Sequence, residues 1–129
     1  MIVQIKYEGD PTGMHSLYCT AWYECKELQA RDMMTGLIAV TDEVEQFPRA
    51  EMYSDDGFAG IILVPSEDMH VGPCAVVMWA YVHPDHRQKN HYPRLLRQAI
   101  RQAREWRLPY IAYTHRVGEG EYATRYRRI

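Results

Sequence analysis

The stretch "CAVVMWAYV" (74–82) is apolar at every position. A strand of that composition has no polar side, so it belongs in the middle of a sheet covered on both faces. A polar loop follows. Residues 92–107 then bring Leu95, Leu96, Ala99, Ile100, Ala103 and Trp106 round at helical spacing, with Pro93 suited to the first turn. "PYIAYTH" (109–115) is a second strand. A strand–helix–strand crossover leaves its two strands parallel or splayed apart. One buried strand and its crossover therefore point to a mixed α/β sheet.

The rest of the chain agrees with that class. "IVQIKY" (2–7) alternates as a strand does, and "EGDPTG" (8–13) has turn chemistry. From Met14 to about Gln29, Leu17, Tyr18, Ala21, Trp22, Cys25 and Leu28 form a helical stripe. Residues 30–56 are ambiguous: "GLIAV" suits a short strand or helical turn, and "TDEVEQF" suits a helix with Thr41 as N-cap, interrupted at Pro48. "GFAGIILV" (57–64) reads as a strand pairing antiparallel with 74–82 across a loop at 65–73. "VGEG" is a turn, and "YATRYRRI" (122–129) is expected to be a short helix. At 129 residues the chain is expected to be one domain, 1–129.

Composition bounds the function. The longest apolar run falls well short of the ~20 residues that span a bilayer, and no signal peptide is expected at the N-terminus. Cys19, Cys25 and Cys74 make an odd set with no CxxC spacing, which suggests reduced thiols in a cytoplasm. The net charge of −2 hides a division. Residues 1–86 carry 4 Lys+Arg against 14 Asp+Glu, and residues 87–129 carry 11 against 3, ten of the 11 being arginine. Arginine suits bidentate contact with phosphate or carboxylate, so the division suggests either self-pairing within the fold or an anionic partner.

Residues 76–106 resemble the central motif of the GNAT acetyltransferase superfamily. There a strand ending in V-x-P is followed by an Arg/Gln-x-x-Gly-x-Gly/Ala loop and a helix with paired leucines. Val82, Pro84, Arg87, Lys89, Leu95 and Leu96 stand in that register. The resemblance implies a GNAT-like acyl-CoA N-acyltransferase fold whose loop N–H groups and helix start hold the pyrophosphate of acetyl-CoA. It implies Val82, Arg87, Gln88, Lys89, Asn90 and Tyr92 as cofactor-binding residues, and Tyr126 as the general acid that protonates the departing thiolate. The family's motif glycines fall at Asn90 and Tyr92, and a third common glycine at Gln88. Asn90 can take a left-handed conformation. Tyr92 is expected to be extended because Pro93 follows it, with its ring near the phosphate position.

Other residues divide between roles. Arg94, Arg97, Arg101 and Arg104 form a stripe expected to be solvated or to contact a partner. His83, His86 and His91 lie within nine residues, with Asp85 the only nearby carboxylate. They are expected to be polar loop residues, and no metal site is expected. Glu24, Glu51 and Glu67 are equal candidates for general base. Cys74 is expected to be packed, and Trp22, Trp79 and Trp106 to lie in the core.

Three functions suit these features. The missing glycines and the charge division favour a non-catalytic structural or protein-interaction component, or a self-assembling one, resembling small bacteriophage-encoded proteins that include virion components. Its place would be the cytoplasm or a virion. The alternative is an active acetyl-CoA-dependent N-acetyltransferase acting on an amine of a protein or small molecule. The third is a nucleic-acid-binding protein using its arginine-rich half.

Overall fold

The computed structural model describes the backbone of residues 2–6 and all of residues 13–129. The strand expectation at Tyr7 and most of the turn at 8–13 lie outside the described residues. The strands are β1 (Ile2–Lys6), β2 (Ala50–Ser54), β3 (Ala59–Asp68), β4 (Gly72–Val82), β5 (Tyr110–Gly118) and β6 (Glu121–Arg128). They form one six-stranded sheet in sequence order. Every neighbouring pair is antiparallel except β4 and β5, which are parallel. The helices are α1 (Gly13–Glu24), α2 (Met33–Glu45) and α3 (His91–Glu105). None is long and apolar enough to cross a membrane among the described residues.

The alternation of β3 decides the layering. Ala59, Ile61 and Leu63 join Leu95, Ala99, Ile100 and Ala103 of α3 in one core. Ile62 and Val64 turn to the other face, where Met14 and Leu17 of α1 and Val44 of α2 cover them. The sheet therefore has α3 on one side and α1 with α2 on the other, as a two-sided buried strand requires. Cys74 is fully buried at the start of β4, and burial raises its thiol pKa. The three tryptophans are half-buried rather than fully enclosed: Trp79 and Trp106 pack against the two cores, and the Trp22 indole donates to the Arg31 carbonyl at 2.9 Å.

Four expectations from sequence change here. The ambiguous 30–56 stretch holds a helix and a strand, and the helix starts earlier than Thr41. Asp32 is its N-cap, accepting from the Thr35 amide at 2.9 Å, while Thr41 lies mid-helix. The first helix stops at Glu24, not Gln29, because the Gln29 side chain donates to the carbonyls of Trp22 and Tyr23 and ends the ladder. Residues 65–68 continue β3 instead of looping, paired with 72–75. Residues 122–129 are strand, not helix. Gly120 at φ 74° turns the chain back, and β6 pairs with β5 from Gly118↔Glu121 to Tyr110↔Arg128. On the side away from β4, β5 would otherwise end the sheet, and β6 covers that edge.

A buried polar cluster lies under α2. Arg49 and Glu51 are almost wholly buried; Arg49 Nε donates to Glu51 Oε2 at 2.7 Å, and the Tyr53 hydroxyl donates to Glu51 Oε1 at 2.5 Å.

Candidate active-site cleft

Parallel pairing of β4 with β5 is confined to Ala75↔Ile111 and Val76↔Ala112. Beyond it the strands separate. A cleft of about 630 Å³ opens there, lined by Trp79, Ala80 and Tyr81 of β4 and Thr114 and Arg116 of β5. The end of α1 closes one side with Glu24 and Cys25, and Tyr122 of β6 forms the outer wall. The β3–β4 ladder slips at the same level. Ile62 faces Trp79 while Leu63 faces Val77, so Met78 has no opposite residue. Such a bulge bends the strand and redirects its backbone groups.

Glu24 is the carboxylate of this cleft. It accepts from Arg87 Nη2 at 2.5 Å and from the Tyr81 hydroxyl at 3.2 Å. The Arg87 hydrogen bond is the main reason its pKa falls below the ordinary carboxylate value. Tyr81 moves the other way. Burial first, and the Glu24 charge second, push its phenol up to about 12. Arg87 also donates to the Val82 carbonyl at 3.2 Å and lies over the Tyr81 ring at 5.7 Å. Nearby, Glu27 takes the Cys25 thiol at 2.9 Å, the Gly120 amide at 2.7 Å and Arg116 at 3.2 Å. These contacts, the thiol foremost, hold its carboxyl at about 2. They also tie the β5–β6 turn to the segment after α1, which fixes the far wall of the cleft.

At the mouth, residues Pro84–Lys89 form a 3₁₀ turn that leads into α3. Asn90, where the family pattern has a glycine, lies at φ 62° and ψ 27°. That is the left-handed region which glycine enters freely and asparagine at modest cost. Tyr92 departs from expectation. It is the second residue of α3 rather than extended, because Pro93 sits in the first turn, where a missing N–H is no loss. Its ring is half-buried, and burial, then the Tyr113 phenol, raises its pKa. Gln88 and Lys89 are exposed on the turn. The α3 N-terminus thus presents its free N–H groups beside the cleft.

The remaining sequence candidates scatter. Val82 and Arg87 are at the cleft. Tyr126 lies opposite Ala112, level with the last β4–β5 pair, but its hydroxyl donates to Asp68 at 3.0 Å instead of lining the cleft; the tyrosine at the cleft wall is Tyr122. Of the three candidate bases only Glu24 lines the cleft. Glu51 is sealed in the buried cluster, and Glu67 is exposed near the start of β4, paired with Pro73. Arg94, Arg97, Arg101 and Arg104 are exposed along α3. The last three line a shallow groove of about 330 Å³ with Ile100 and Arg127. His86 and His91 come together, but with Asp56 of the β2–β3 turn rather than Asp85. Arg116 and Tyr122 were invisible as site residues, since only the strand pairing carries them to the cleft.

A family model described as the acetyltransferase (GNAT) family matches residues 2–126. No curated protein sequence matches the chain. Solved structures do. AAC(6')-Iy in complex with the bisubstrate analogue CoA-S-monomethyl-acetylneamine is 16% identical, with a TM-score of 0.61 over 93% of this chain and 83% of that one. A GNAT family acetyltransferase from Brucella melitensis in complex with acetyl-CoA is 13% identical, at 0.59 over 92% and 78%. A ribosomal-protein-alanine N-acetyltransferase from Brucella melitensis biovar Abortus 2308 is 18% identical, at 0.58 over 92% and 85%. At these identities the likeness is one of fold.

Proposed function

The chain belongs to the GNAT acetyltransferase family, and from that premise we propose that it binds acetyl-CoA between β4 and β5 and transfers the acetyl group to an amine of a protein or small molecule. The observation that carries this reading is the left-handed Asn90 at the head of α3. The sequence favoured a non-catalytic component because the loop lacks glycine. Asparagine supplies the backbone conformation, and Tyr92 is folded into the helix. The loop backbone and the α3 N-terminus fit a pyrophosphate, and the separated strands fit the extended arm behind it.

When bound, acetyl-CoA supplies the activated thioester. The chain's own part follows from the cleft. The edge of β4 beyond Val76 has no strand partner on the β5 side, so its free N–H groups can face a carbonyl oxygen. Glu24, ionised at neutral pH, accepts a proton from the attacking amine, directly or through one water. Tyr122 is the hydroxyl on the outer wall and gives a proton to the leaving sulfur. Arg87 and Tyr81 orient Glu24. Release of free thiol from acetyl-CoA over a panel of amines tests the scheme. The wild type should turn over with at least one amine, and Glu24→Gln should slow it by about 10²–10⁴-fold. Equal rates in the two proteins would contradict the assignment of the base.

A second reading rests on the arginine groove of α3 and β6. Arg97, Arg101, Arg104 and Arg127 line this groove together, and the ion pairs among the described residues involve none of them. Such a surface suits an acidic protein face, as a docking component, including one of a virion, would need. Arg101→Glu with Arg104→Glu should abolish retention on an anionic resin at physiological salt while leaving acetyl transfer intact.

A further inference from the structure

We propose that Asp56, His86 and His91 form a binding site for a divalent transition-metal ion such as zinc, pinning the β2–β3 turn to the start of α3. The inference is independent of acetyl transfer. The ligand atoms of the three side chains all lie within 4.8 Å of one another. Ligands around a tetrahedral zinc at 2.0–2.1 Å stand about 3.4 Å apart, so small side-chain adjustments close the site. Two histidines and one carboxylate are a donor set that zinc accepts, with a fourth position left for water or an anion.

The unmet polar atoms point the same way. His91 is 7% exposed, and its Nε2 is buried without a hydrogen bond. That nitrogen lies 2.9 Å from Asp56 Oδ2, an ion-pair contact that already brings two candidate ligands together. His86 Nδ1 is buried and unpaired as well. A buried donor or acceptor without a partner, as His86 Nδ1 is, is costly. A cation among the three side chains would satisfy His86 Nδ1 and bind the His91–Asp56 pair.

The surroundings hold the ligands in place. Asp56 Oδ1 accepts from the Ser54 hydroxyl at 2.6 Å and the Phe58 amide at 3.0 Å, leaving Oδ2 for the ion. The Phe58 ring stacks on His86 at 3.8 Å. Partners of this kind orient metal ligands and tune their affinity. His83 stands apart from the set, since its Nδ1 already accepts from the Asp85 amide at 3.2 Å.

Zinc added to the metal-free full-length chain, against a chromophoric chelator and without acetyl-CoA, tests the site. The expected result is one ion per chain and a raised melting temperature. Cobalt in its place should give a tetrahedral visible spectrum with no thiolate charge-transfer band. Asp56→Asn and His86→Asn change partly exposed side chains and should fold; each should weaken zinc binding at least about tenfold, and Ser54→Ala by about 10–100-fold. His83→Asn should bind as the wild type does. Wild-type binding no tighter than in Asp56→Asn and His86→Asn, or a thiolate band showing cysteine ligation, would overturn the proposal.

Discussion

Replacing Glu51 by glutamine should destabilise the fold by about 3 kcal/mol. Glu51 is fully buried, and its two oxygens take the Arg49 guanidinium at 2.7 Å and the Tyr53 hydroxyl at 2.5 Å. Glutamine has the same shape and keeps one acceptor for Arg49, so no cavity forms. What it removes is the charge. Arg49 keeps its other contacts, among them the carbonyls of Val44 and Phe47 at 3.2 and 3.3 Å, which soften the loss. Breaking a buried pair from one side costs about 3–5 kcal/mol, and the conserved shape puts this variant at the low end. Glu51→Leu, which removes both acceptors, should approach the high end. For a chain of this length the glutamine variant should melt roughly 10–15 °C lower. Urea denaturation followed by circular dichroism reads the change directly. Arg49→Met combined with Glu51→Leu should recover part of the loss, because both members of the buried pair are then apolar. A loss under about 1 kcal/mol for Glu51→Gln, or a double variant as unstable as the sum of its parts, would refute the reasoning.

Three further outcomes follow from the site. Asn90→Gly should be neutral or slightly stabilising, and Asn90→Val should cost about 1–2 kcal/mol by thermal denaturation, because a β-branched residue is strained at φ 62°; equal stabilities would contradict the conformation. The depressed Glu24 carboxyl contributes stability above its unfolded pKa of about 4.3 and loses it as pH falls through its lower folded value. Arg87→Ala should therefore move the Glu24 carboxyl-carbon NMR titration upward and erase that acid-side increment; an unmoved titration would count against the pair. Tyr122→Phe should slow acetyl transfer, with Tyr126→Phe at wild-type rate; the reverse order would return the proton donor to Tyr126.

The fold was legible wherever one local signal sufficed. The apolar run at 74–82 and the stripe of Leu95, Ala99 and Ala103 gave the central strand and its covering helix, because burial dictates both patterns. Residues 122–129 form a strand through their partner, not their pattern: they pair along the edge of β5 that faces away from β4. Thr41 was mistaken for a cap because the true one, Asp32, precedes a glycine-containing stretch that hides the helix. The site was less legible. Glu24 meets Arg87 across 63 positions, and no spacing rule connects them. Asp56 meets His91 only because the β2–β3 turn packs on α3. The resemblance pointed to Val82 and Arg87, which lie beside the cleft, and to Tyr126, whose hydroxyl contacts Asp68 outside the cleft lining.

Binding of acetyl-CoA to the purified full-length chain, followed by calorimetry, tests the central claim most directly. The account expects one ligand per chain at micromolar affinity, kept in Asn90→Gly and weakened in Asn90→Val, whose strained backbone disturbs the loop. No heat of binding at millimolar acetyl-CoA would contradict it, and the arginine groove of α3 and β6 would then carry the function.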